Sequence, residues 1–135
     1  MLAKIIAEFR NSEQGAAIVE TAIVAPLAIL ILAGGFEIGR GLSVHHAADK
    51  AVRNAARYLA RVPATSATEA MAKQIVTADD PNLADATVTM DATRFTAGVV
   101  SLTAVVPYKV TLLSAVFSKS TVQFTVAHEQ PYVGE

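Results

Sequence analysis

The stretch Gly15-Ala-Ala-Ile-Val-Glu20-Thr-Ala-Ile-Val-Ala-Pro26-Leu-Ala-Ile-Leu-Ile-Leu-Ala-Gly-Gly-Phe36 decides the fold. Residues 16–36 have the length a helix needs to cross a hydrocarbon core of roughly 30 Å, at about 1.5 Å per residue. One carboxylate, Glu20, interrupts the run near its start. A charge at the centre of a membrane helix costs about 2.5–3.5 kcal/mol on insertion scales, so a carboxylate retained there is expected to have a partner or a task. Pro26 withdraws one backbone donor and is expected to kink the helix about halfway along, which membrane helices tolerate.

On the N-terminal side, residues 1–15 form a short polar leader in which Lys4 and Arg10 balance Glu8 and Glu13. Leu2, Ile5, Ile6 and Phe9 recur at helical spacing, as in a short helix lying at a membrane interface. On the other side the helical pattern continues to Pro63. Gly34, Gly35, Gly39 and Gly41 lower helix propensity at the membrane exit and allow close helix–helix approach there, or else mark a break. Ala47, Ala48, Ala51, Val52, Ala55, Ala56 and Leu59 then make an apolar stripe at three- and four-residue spacing. Asp49, Lys50, Arg53, Asn54, Arg57 and Arg61 occupy the opposite side, with Asp49 one turn before Arg53. An unbroken helix over residues 16–61 would be about 70 Å long.

Beyond Pro63, residues 68–77 read as a shorter helix with Ala70, Met71, Ile75 and Val76 facing inward. Asp79-Asp80-Pro81-Asn82 reads as a turn. From Ala86 the period drops to two. Val88 and Met90, then Val100 through Val110, then Val122, Phe124 and Val126 alternate with polar or outward residues, giving three antiparallel strands with one buried face. Residues 112–117 are an apolar connection, either a short helix or a loop dipping toward the membrane. A three-stranded sheet needs a cover, and the stripe of residues 47–59 is expected to supply it. The expected class is α+β, a long N-terminal helix packed on a small antiparallel sheet. Its parts are a leader (1–15), a membrane segment (16–36), an amphipathic continuation (37–62) and a short helix plus sheet (63–135).

Composition narrows the functions. The 135 residues carry a formal net charge of −1, which offers nucleic acid no electrostatic footing, and Trp is absent. Cysteine is absent too, which removes disulfides, thiol catalysis and Cys-ligated metal sites. His45 and His46 are adjacent and point about 100° apart on a helix, so they do not form a chelating pair. Asp79-Asp80 lacks the spacing of a calcium loop. Ser43, His45 and Asp49 lack an oxyanion-holding turn. No enzyme activity, cofactor or metal is expected. Arg53, Arg57 and Arg61 read first as a solvated face, with anionic lipid or an acidic neighbouring subunit as alternatives.

Glycine, four small or apolar residues, then glutamate is the pattern a prepilin peptidase recognises, and here it is Gly15 to Glu20. With Val19-Glu20-Thr21-Ala22, Pro26 and its Leu/Ile-rich sequel, Gly39-Arg40 and Ala55-Ala-Arg-Tyr58, the chain resembles the TadE-like pseudopilins of the tight-adherence (Tad/Flp) type IV pilus system. The resemblance is specific from Gly15 to about Arg61 and looser beyond. Pilins place an aromatic after the glutamate, whereas this chain has Thr21. The family implies a type IV pilin-like fold and a minor pseudopilin acting in pilus assembly, secretion, adhesion and biofilm formation. It implies cleavage between Gly15 and Ala16, and pairing of the new Ala16 amine with Glu20 of a neighbouring subunit. The implied partners are the prepilin peptidase, other pilins and pseudopilins, the inner-membrane assembly platform and the lipid bilayer. The implied location is the bacterial inner membrane, single-pass, with the C-terminal domain periplasmic or extracellular and the protein sometimes within a pilus. Lys/Arg counting alone would instead hold that domain in the cytoplasm. The competing readings are an exported periplasmic protein with a conventional signal peptide cut near Leu32-Ala-Gly-Gly35, and a plain single-pass anchor.

Overall fold

The computed structural model describes residues 13–112, 114 and 121–134. The expected interfacial helix of the leader, up to residue 12, and most of the 112–117 connection lie outside the described residues. Helix α1 runs from Glu13 to Leu59, 47 residues, without interruption at Pro26 or at the glycines of residues 34–41. At 1.5 Å per residue it is about 70 Å long. Helix α2 follows at Glu69–Asp79, opened by Thr68, whose hydroxyl accepts from the Met71 N–H at 3.3 Å. That bond satisfies one of the donors a helix start leaves unpaired. Asp80 caps a single 3₁₀ turn at Pro81–Leu83 in the same way.

The sheet contains β1 (Thr87–Met90), β2 (Val99–Lys109) and β3 (Thr121–Pro131), antiparallel throughout and in the order β1-β2-β3. Between β1 and β2 sits a one-turn helix α3 (Ala92–Thr96), which the sequence reading did not anticipate. Asp91 starts it by accepting from the Thr93 and Arg94 N–H groups. Gly98, at φ 81°, takes the left-handed turn that leads into β2. Pro107 lies inside β2, yet β1 ends opposite Val105, so Pro107 has a strand neighbour on one side only. That is where a residue without an N–H is tolerated.

Every second residue of β2 from Val100 to Tyr108 is buried against the helices. Ala48, Ala51, Val52, Ala55, Ala56 and Leu59 of α1 are fully buried opposite them. The alanines are small enough to let the helix axis lie close to the sheet, and Val52 and Leu59 fill what they leave. Ala72 and Val76 of α2 complete the core with Leu83 and Val88. Two inward assignments are corrected. Ala70 faces solvent and Ala72 takes its place, because a face centred on Met71, Ala72, Ile75 and Val76 puts position 70 on the opposite side of the helix. Val122 is 42% exposed, because it faces a groove left open between the start of β3 and α1.

Candidate functional site

Two places carry polar groups on an otherwise apolar frame: the exposed arm of α1 and the point where that arm meets the sheet. In the arm, residues 16–32 are exposed apart from a half-covered Ala25. Ile18, Ile23, Ile29, Ile31 and Leu32 are large, apolar and exposed. This segment is long and apolar enough to cross a membrane. Gly15 and Ala16 lie inside α1, which begins two residues earlier, at Glu13. Glu20 lies one helical turn beyond Ala16, exposed, its carboxylate without a hydrogen bond or ion pair among the described residues. Its neighbour Thr21 turns its hydroxyl back onto the Ala17 carbonyl at 2.8 Å, the usual way a threonine satisfies itself on a helix. Gly15, Ala16 and Glu20 thus share one short helical stretch, while Pro26 lies farther along the same helix.

At the junction the structure brings together residues the sequence did not link. Glu37, one residue past the apolar run, is buried to 5% exposure. Tyr108 of β2 donates to its Oε1 at 2.6 Å, and the Thr111 and Leu112 N–H groups donate to its Oε2 at 3.2 and 2.8 Å. The Arg40 guanidinium lies 4.0 Å from the same carboxylate, 5.4 Å over the Tyr108 ring, and donates to Thr111 Oγ1 at 2.8 Å. A buried carboxylate is costly unless such donors surround it. The Tyr108 hydrogen bond, reinforced by the Leu112 N–H, outweighs burial and holds the Glu37 carboxyl below its ordinary value. Burial and the same hydrogen bond push the Tyr108 phenol up. The arrangement is a clasp that ties the exit of the exposed arm to the end of β2. Tyr108 was legible as inward-facing from its alternation. Glu37 was not, although Arg40 three residues later is the one local sign of a charged pair on that face.

A second tie closes the far end of α1. The Val133 N–H donates to the Ala60 carbonyl at 2.9 Å, and the Tyr132 hydroxyl to the Val62 carbonyl at 2.9 Å. These bonds pin the C-terminal end of the described chain to the turn that follows α1. The sheet therefore lies along α1 with β3 running away from the exposed arm and β2 running back toward it.

The other side chains weighed above do not assemble into a site. His45 stacks edge-on against Phe124 at 5.7 Å and against His46 at 6.1 Å, and His128 lies farther along β3. Among the described residues no three His, Asp or Glu side chains gather as a metal site would require. Arg53 pairs with Asp49 at 2.7 Å and Lys50 with Asp79 at 3.8 Å, so part of the basic face is internally balanced.

No curated protein and no solved structure matches the chain. A family model does: residues 15–57 match that of TadE-like proteins. The match runs from Gly15 through Glu20, Pro26, the clasp residues Glu37 and Arg40, and most of the buried alanine stripe, so over its long helix this chain is similar to the TadE-like family.

Proposed function

We propose that this protein is a minor pseudopilin of a Tad/Flp-type pilus, anchored by residues 16–36 in the bacterial inner membrane with its small domain on the outer side. A prepilin peptidase removes residues 1–15, and the processed chain acts with other pilins and the assembly platform in building a pilus used in adhesion and biofilm formation. The observation that carries this reading is the coincidence of the TadE-like match with a bare apolar arm holding one unpartnered carboxylate, Glu20. Such a group in lipid calls for an opposite charge. A new amine at Ala16 on a neighbouring chain supplies one, and opposite charges attract strongly where the dielectric is low.

The test is complementation of a strain lacking this chain. Glu20→Ala lifts the insertion cost, so the variant should reach the membrane at least as well as the parent, yet fail to support piliation. Normal piliation by a membrane-inserted Glu20→Ala chain would remove the pairing role.

A further inference from the structure

The sheet does not close fully against α1 near the exposed arm. A groove of about 490 Å³ opens there, walled by Ile38, Gly41 and Leu42 of the helix and by Val110, Val122 and Phe124 of the sheet. Its surface is almost wholly apolar, and Ile38, Leu42 and Val122 stay 72%, 54% and 42% exposed. Three observations fix its surroundings. Ile38 of the groove wall lies two residues past Phe36, about 3 Å along the helix, where the hydrocarbon core gives way to the interfacial layer. On the helix face of the groove the exposed Ile31 of the arm continues, at seven- and then four-residue spacing, into Ile38 and Leu42, with Gly34 and Gly35 between and no polar break. Lys109, with an exposed side chain, directly precedes Val110 of the groove wall, a position from which an ammonium can meet lipid phosphates.

We propose that this groove takes the upper acyl region of the lipid leaflet on the sheet's side, so that the small domain is seated on the bilayer instead of standing clear on its helix. The inference rests on the membrane-spanning reading of residues 16–36. Because the Glu37 clasp sets the angle between helix and sheet, it also sets the depth at which Val110 and Val122 meet lipid. Leu112, 48% exposed beside the clasp, extends the same apolar edge.

The chain has no cysteine, so single labels are clean. Full-length Val122→Cys, Val133→Cys and Ile29→Cys chains, each carrying a bimane, are placed in phosphatidylcholine nanodiscs and quenched separately with lipids brominated at shallow or at deep acyl carbons and with aqueous iodide. Val122 is largely exposed and Val133 lies at the far end of the domain, so neither substitution disturbs the core. The expected result is that the Val122→Cys label loses most of its fluorescence to brominated lipid and little to iodide, while Val133→Cys shows the reverse. Iodide quenching of Val122→Cys equal to that of Val133→Cys overturns the proposal. So does protection from both quenchers, which would mean that a second protein chain fills the groove. Ile29→Cys separates the two levels. If it is quenched by brominated lipid and Val122→Cys is not, only the seating fails; if it is not quenched, the membrane-spanning reading fails and takes the seating with it.

Discussion

Replacing Val52 by Asp probes whether α1 and the sheet form one core. Val52 is fully buried in the middle of the stripe, with Ala48, Ala51, Ala55 and Ala56 around it and no exposed route for a charge. Aspartate nearly preserves the volume, so little cavity forms. The loss has two parts: about 1.5–3 kcal/mol of apolar burial, and about 1–3 kcal/mol for a carboxyl group placed without hydrogen-bond partners. Together they give roughly 2.5–6 kcal/mol, a large share of the stability of a small domain. For about 100 residues each kcal/mol moves the melting temperature by roughly 4–8 °C, so a fall of about 10–50 °C is expected. The effect also has a pH signature. The buried Asp takes a raised pKa, so the native state holds a proton that the unfolded chain has released, and stability falls as pH rises. Amide hydrogen exchange of Leu102 and Ala104 in β2, followed against temperature for the full chain in micelles, reads this directly. Asn54→Asp, on the exposed side of the same helix, should stay within about ±0.5 kcal/mol. Equal exchange for the two variants would mean that the stripe does not pack on the sheet.

Glu37 has its carboxyl held below the usual value, so the clasp stabilises the fold above the unfolded-state value and is lost as pH falls through the lowered one. Protection of the Thr111 and Leu112 amides should therefore fall on acidification of the parent, and Glu37→Gln should remove that pH dependence. Phe124 is half-buried on the groove wall against Tyr108 and His45, so Phe124→Ala should cost roughly half of the usual 3–5 kcal/mol. Leu102→Ala, in the fully buried centre of β2, should cost about 2–5 kcal/mol, and denaturant titration of the full chain in micelles reads both losses. Gly15→Val should block removal of residues 1–15, because a branched side chain crowds the peptide bond to be cut; a processed Gly15→Val chain seen by immunoblot would count against that geometry.

How far the sequence carried is clear from particular residues. Two periodicities, 3.6 from Ala47 to Leu59 and two from Val100 to Tyr108, each leave one apolar face, and in the structure those faces meet. That much follows from local pattern, because a repeating face has to be covered. The Gly15–Glu20 spacing was likewise readable, as it lies on one short stretch of helix. What pattern does not encode is pairing between distant elements. Glu37 and Tyr108 are 71 positions apart, and only the fold brings the hydroxyl to the carboxylate. The place where cover runs out is similarly non-local. Val122 continues the inward alternation of Phe124 and Val126, yet it faces the groove left open between the start of β3 and α1. The one-turn α3 escaped notice because five residues carry too short a period to register, although Asp91 ahead of Thr93 and Arg94 is an ordinary helix-starting residue.

The most direct test is the intact mass of the chain extracted from membranes of cells with and without a prepilin peptidase. The mature chain should begin at Ala16 when the peptidase is present and at Met1 when it is absent. Met1 in both would contradict processing at Gly15, and a start at residues 34–36 in both would mean that the apolar arm is a conventional signal peptide rather than an anchor.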